Sequence, residues 1–477
     1  MNSTGKTTES ACHYRAALAA LRDEYLVGEI SQADVPSEKL LQILWNEQFF
    51  AAAPVLNDGR GLLVATPGTW NVGPGPDFLN AQLRIGDDWL SGDVEVHRFP
   101  EDWFQHGHGN DPRYRRVILH VVWNGESAAA RRGPNLPTLA LASCLPADWR
   151  QHFPFADPLA YPYGRCVGPG ACARLWAEVP DERLQRLLAL AGRHRFEEKS
   201  RKFWRLIQEK GEEQALFEGL LEGLGYHANQ QAFRAIAAFR GLAGLRTLPD
   251  DTARLAALFG TAGLLPDPTV ATVHPALRGP VMILWKNWWA QGGGQAPITC
   301  RHGGRPLNSP ERRLWGAWEL CRDSGWAPGT RIMAALESGE VERLPNRLAL
   351  ALNIDSPWEG WQNFAVPLTR PAALLGEPRR RDLIANILLP WLQALCYGPE
   401  SQETQPALAW QRLPPLQENR PLVEACHRFF IPPSRADRLL ENTCLQQGLL
   451  DIYRNFCQFL NGNCQKCIFS RGVPVED

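Results

Sequence analysis

Apolar residues recur at every second position in short runs between Gly61 and about Asn124, and at helical intervals after about residue 170. A chain whose hydrophobic period changes in this way cannot be a single sandwich or a single bundle. The runs LLVAT, AQLRI, WLSGDVEVH and RRVILHVVW, separated by Gly, Pro and Asp clusters, predict a compact sheet. Ahead of them, Pro36 to Phe50 places Leu40, Leu41, Leu44, Trp45 and Phe49 on one helical face, with Ser37 as N-cap. A Pro-rich passage from Pro134 to Pro169 then leads into helical segments without a fixed repeat, clearest in PDERLQRLLALAGRHRFEEKSRKFWRLI. The expected fold is α+β, a mixed-sheet domain over 36–170 followed by an irregular all-α domain over 171–440. An N-terminal extension occupies 1–35, with a possible helix around Tyr14 to Tyr25, and a cysteine-rich element closes the chain over 441–477.

At 477 residues and 44% hydrophobic content the chain can bury more than one core. A net charge of −1 means that any polyanion site must be a local patch. The N-terminus lacks an apolar signal region, and no stretch of about 18 apolar residues occurs, so a cytoplasmic protein with no membrane partner is expected.

Two extended runs flank Gly86-Asp87-Asp88 and predict a β-hairpin. A turn centred near Asp87 sets residue 77 opposite about residue 97, bringing Asp77 beside the strand that carries Glu95 and His97. Alternation along that strand sends Asp93, Glu95 and His97 to one face and Val94 and Val96 to the other. Clustered carboxylates repel unless a cation neutralises them, so Asp77, Asp93 and Glu95 are candidate oxygen ligands for Mg²⁺ or Mn²⁺. The alternative is a solvated sheet face whose acids sit in water.

A helix bearing Glu38, Gln42 and Glu47, then Pro76-Asp77, a hairpin and Glu95-Val96-His97 together resemble the PD-(D/E)XK nuclease superfamily over about 100 residues. The resemblance implies hydrolysis of DNA or RNA phosphodiester bonds, with Asp77 and Glu95 as metal ligands and Glu47 as the helix contribution. His97 stands where that superfamily usually has Lys, and an imidazole there can act as a general base or phosphate contact. The blocks GPDFLNA, GDVEVH, DWFQHGHGND, VILHVVW, NRPLVEACH and LQQGLLDIY also resemble a bacterial family of unknown function across nearly the whole chain. A catalytically lapsed nucleic-acid-binding or regulatory protein is the competing expectation.

The loop PEDWFQHGHGNDPRYR supplies His106, His108 and Asp111, and the next strand His120. With His97 they compose an alternative zinc or manganese site for a hydrolase, and His106 or His108 could contact a scissile phosphate. His120 is equally compatible with a core position, and Trp103 with packing. The clusters RHRFEEKSRKFWR, RHGGRPLNSPERR and PRRR could contact a nucleic-acid backbone or form solvated or internally paired faces.

Of twelve cysteines, Cys444, Cys457, Cys464 and Cys467 crowd into the tail, where they could ligate Zn²⁺ or an iron–sulfur cluster. The C-x₆-C-x₂-C spacing is similar to part of the cluster loop of helix-hairpin-helix DNA glycosylases. The fourth, downstream cysteine of that family is absent, so Cys444 or Cys426 would have to replace it.

Overall fold

The computed structural model describes residues 14–19, 35–48, 50, 54–71, 75–124, 134–145, 168–269, 273–294, 296, 298, 300, 306–336, 340–399, 401, 403–458 and 464–472, without the side chains of 47, 226–228, 231, 306 and 466. The chain is α+β, a curled mixed sheet followed by a helical region, and divides into two compact units. The first comprises Met1–Val179, His427–Ile431 and Ile452–Asp477, and the second Pro180–Cys426 and Pro432–Asp451. Of the C-terminal cysteines, Cys457, Cys464 and Cys467 thus group with the sheet unit and Cys444 with the helical one. Most of the N-terminal extension and residues 146–167 lie outside the described residues.

In the first unit, helix α1 (Glu38–Glu47) begins as its sequence predicts, with Ser37 Oγ accepting the Leu40 N–H at 3.3 Å. Leu40, Leu41, Leu44 and Trp45 are buried, whereas Phe49 lies outside the described residues. The sheet contains β1 (Leu62–Thr66), β2 (Thr69–Trp70), β3 (Phe78–Ile85), β4 (Asp88–Val96), β5 (Val117–Val122) and β6 (Thr138–Ala140). Its order is β1-β3-β4-β5-β6, with β2 also on β3; pairs up to β4 are antiparallel, and β4–β5 and β5–β6 are parallel. Phe78, Leu83, Val94, Val96, Leu119 and Val121 are completely buried in its core. Each such side chain contributes roughly 1.5–3 kcal/mol relative to exposure.

The β3–β4 hairpin turns at Gly86 (φ 61°), with Ile85 paired to Asp88. Its register then departs from expectation. A bulge between Phe78 and Ala81 puts Phe78 opposite Val94, so Asp77 comes beside Glu95 and not His97. Asn80 takes the left-handed conformation at this bulge (φ 56°), which Asn tolerates better than most residues. Its N–H donates to Asp93 Oδ1 at 2.9 Å, and its Oδ1 accepts from Arg116 Nη2 at 3.1 Å. A second shift lies in the β4–β5 pairing, where Ile118 of β5 is the extra residue between the Asp93–Val117 and Val94–Leu119 pairs.

After β4 come α2 (Asp102–Gln105) and the 3₁₀ turns His108–Asn110 and Pro112–Arg116, which return the chain to β5. Helix α3 (Cys172–Ala177) packs Trp176 against Phe429, ring centroids 4.7 Å apart, and edge-on to Phe469. The second unit is helical. It is led by the 30-residue helix α4 (Asp181–Lys210), with Phe217, Phe233, Phe259, Trp391 and Trp410 fully buried in its core.

Candidate functional site

Four elements of the sheet unit converge at the C-terminal end of β4. Glu95 comes from that strand and His97 directly follows it, His120 comes from the neighbouring β5, and His106 and His108 come from the turns between them. Helix α1 is tied nearby because Arg98 donates through Nε to Pro36 O at 3.1 Å and through Nη2 to Val35 O at 3.2 Å. Gln42 of that helix donates Nε2–H to Asp77 Oδ1 at 2.8 Å.

His97 Nε2 lies 3.2 Å from His106 Nδ1 and 3.2 Å from His108 Nε2. Glu95 Oε1 is 3.4 Å from His97 Nε2 and 3.1 Å from His108 Nε2. A tetrahedral ion with M–N bonds of about 2.0–2.1 Å separates its ligand nitrogens by roughly 3.3–3.4 Å, so the histidine spacing fits a transition-metal ion. The ligand atoms of these three histidines all lie within 4.8 Å of one another. Glu95 therefore flanks a three-histidine centre, close to His97 and His108.

Packing fixes the imidazoles. The His97 and His108 rings stack with centroids 5.1 Å apart, His108 stacks on Tyr114 at 3.8 Å, and Trp103 meets both histidines edge-on. His97 Nδ1 is 2.8 Å from His120 Nε2. When Nδ1 carries the proton and donates it to His120, the Nε2 lone pair of His97 faces the convergence point, the outer-shell arrangement typical of metal-bound histidine. His97 and His120 are buried, and His106 is exposed, which leaves one side of the centre open to solvent.

The electrostatics suit metal ligation. Burial, with repulsion from the neighbouring imidazoles, holds His97 down to about 2, and burial holds His120 down to about 3. Both rings are therefore neutral near pH 7. Burial and then the Asp77 charge push the Glu95 carboxyl up to about 10, and burial with the Glu38 charge pushes Asp77 up to about 7. A divalent cation at the centre would reverse the penalty on Glu95 by supplying the missing countercharge.

The sequence-derived acids divide. Asp77 and Glu95 are adjacent, the Asp77 N–H donating to Glu95 Oε2 at 3.0 Å. The Asp77 carboxylate itself is engaged by the Val96 N–H at 3.0 Å and by Gln42. Asp93 is committed to the bulge at Asn80 and is not among the converging atoms. Glu47 ends α1, and its side chain lies outside the described residues. His120, ambiguous in sequence, is a buried partner of His97, and Trp103 packs.

Lys39 and Tyr114 were not singled out from sequence. Burial lowers Lys39 to about 7, and its ammonium lies 3.9 Å over the Trp70 ring. The α1 residues Glu38, Lys39 and Gln42 share a helical face, a periodicity that could have revealed Lys39.

Several residues of the basic clusters are paired within the helical unit. Lys199 donates to Gln447 Oε1 at 2.9 Å, Lys202 pairs with Glu222 at 2.8 Å, and Arg312, fully buried, donates to Trp361 O and Ala372 O. Arg379 donates to Gly223 O at 3.0 Å. No described helix is long and apolar enough to cross a membrane.

A family model described as a protein of unknown function (DUF2851) matches residues 38–419. No curated protein and no solved structure matches the chain.

Proposed function

Since the chain belongs to the DUF2851 family, whose description names no activity, we propose from its site that it is a metal-dependent hydrolase with His97, His106 and His108 as ion ligands. The convergence of His106 Nδ1 and His108 Nε2 on His97 Nε2, each at 3.2 Å, carries this reading. Three neutral imidazoles suit Zn²⁺ or Mn²⁺ better than Mg²⁺, and three protein ligands leave a position for water or substrate. Glu95, beside that position, serves as the proton acceptor for the attacking water. His120 fixes the His97 tautomer, and Asp77 positions Glu95 through its backbone N–H.

The proposed substrate is a nucleic-acid phosphodiester. Support comes from the segment Pro112–Arg116, which sets Tyr114 on His108 and carries the exposed Arg113, Arg115 and Arg116, Arg113 paired with Asp111 and Arg116 with Asn80. Arginines so placed suit phosphate oxygens, and an ion can polarise the phosphoryl group while activating water.

The test is Zn²⁺ and Mn²⁺ titration of metal-stripped protein, followed by incubation with labelled single- and double-stranded DNA and RNA. One tightly bound ion and cleavage, both lost in His106→Ala and His108→Ala, are expected. Ion binding that survives both substitutions overturns the metal centre; a loaded protein that binds but does not cut any of the four substrates overturns nucleic-acid hydrolysis.

A further inference from the structure

The tail cysteines find a fourth partner that their spacing does not reveal. Cys444 lies in the helical unit, its Sγ 3.7 Å from Ala189 O and against Gly192. Cys457, Cys464 and Cys467 instead line one small cavity with Cys172, the first residue of α3, together with Arg428, Phe456 and Ser470. All these residues belong to the sheet unit. Cys457 sits in the π-helical turn Tyr453–Gln458, and Cys464 and Cys467 bracket a single 3₁₀ turn, so local backbone geometry presents the three tail thiols to one point.

The cavity is equipped for thiolates. The Cys464 sulfur accepts from Arg428 Nη2 at 3.0 Å and from the Ala171 N–H at 3.4 Å. Backbone N–H groups of Phe469 and Ser470 point at Cys467, and Arg428 also reaches Cys457. Donors aimed at sulfur and a buried guanidinium would offset the negative charge of bound sulfur ligands. No disulfide joins any two of the four cysteines.

The spacing of the sulfurs selects the ligand. One tetrahedral zinc with Zn–S bonds of about 2.3 Å draws its sulfurs to roughly 3.8 Å from one another. Among the described residues these sulfurs are not grouped as three ligand atoms within 4.8 Å of one another. A larger inorganic core fits the wider frame.

We infer that Cys172, Cys457, Cys464 and Cys467 ligate a four-iron, four-sulfide cluster that fastens the C-terminal segment to α3, with Arg428 offsetting its negative charge. This assignment is independent of the histidine centre.

The test is metal and acid-labile sulfide analysis of the full-length protein purified without oxygen, with visible absorption spectra. About four iron and four sulfide ions per chain are expected. They should be lost in Cys172→Ser and Cys464→Ser and retained in Cys444→Ser. One equivalent of zinc without sulfide overturns the cluster, and so does wild-type protein without metal. Loss in Cys444→Ser with retention in Cys172→Ser overturns the ligand set. The wild-type and Cys444→Ser measurements decide the matter even where a ligand variant does not fold.

Discussion

Asp77→Asn separates an aspartate that positions Glu95 from one that grips the ion. Burial and the Glu38 charge raise the Asp77 carboxyl from about 3.8 to about 7. The folded state therefore holds its proton more tightly than the unfolded chain, so this group's contribution is fully present below about pH 3.8 and is lost as pH rises to about 7. A shift of roughly 3 units at about 1.4 kcal/mol each sets an upper bound of about 4 kcal/mol, and residual exposure of the side chain reduces it to about 2. Asparagine has no charge to desolvate. Its Oδ1 can accept the Val96 N–H, now 3.0 Å from Asp77 Oδ2, and its amide can donate to Gln42 once that side chain flips. In metal-free protein, urea unfolding should show a stability difference near zero at about pH 4 that grows in the variant's favour by about 2 kcal/mol at about pH 7.5. Calorimetric titration should show Zn²⁺ affinity unchanged within about threefold, against a loss of about 100-fold or more in His108→Ala. Loss of the ion in Asp77→Asn with retention in His108→Ala would refute the argument and restore the acidic site.

Glu95→Gln should retain the ion while slowing single-turnover hydrolysis by about 10²–10⁴-fold, and undiminished turnover would exclude Glu95 as the proton acceptor. The Glu95 carboxyl is pushed up to about 10, so ion binding to wild type near pH 7 should release about one proton that the Gln variant does not. Calorimetry in buffers of different ionisation enthalpy measures it, and equal release from both proteins would contradict the assignment. His120 is held down to about 3, so wild type should lose stability relative to His120→Gln as pH falls from about 6.5 towards 3, by up to about 1.4 kcal/mol per pH unit. A flat difference across that window in urea melts would show that His120 does not stay neutral. In Gly92→Ala the new Cβ would lie 2.4 Å from Ile118 Cγ2 and 2.6 Å from Arg116 O, so a loss of about 1–3 kcal/mol is expected in the same melts, and no loss would mean that β4 and β5 separate freely.

The α+β organisation, the N-cap at Ser37 and the hairpin around Gly86 were legible because they depend on residues close in the chain. Ser309 likewise caps the helix Pro310–Asp323 from close by in the chain, accepting the Arg312 N–H at 3.4 Å. Local pattern also brought Glu95, His97, His106 and His108 into consideration, since alternation and turn chemistry place them near the end of one strand. The bulge at Asn80 was not legible, and it moved Asp77 from His97 to Glu95 and drew Asp93 into a backbone hydrogen bond. A single extra residue in a strand changes which side chains share a face, and no periodicity records it.

What sequence alone determined is the inventory and its local presentation: an acid and four histidines around one strand end, and three cysteines at C-x₆-C-x₂-C. Tertiary structure decided the partners. Parallel pairing of β4 with β5 brought His120 to His97, the end of α2 and the 3₁₀ turn after it aimed His106 and His108 at the same nitrogen, and Cys172, not Cys444, joined the tail thiols. Ligand sets depend on where separate elements meet, and hydrophobic burial and strand register fix that meeting through contacts between residues far apart in the chain.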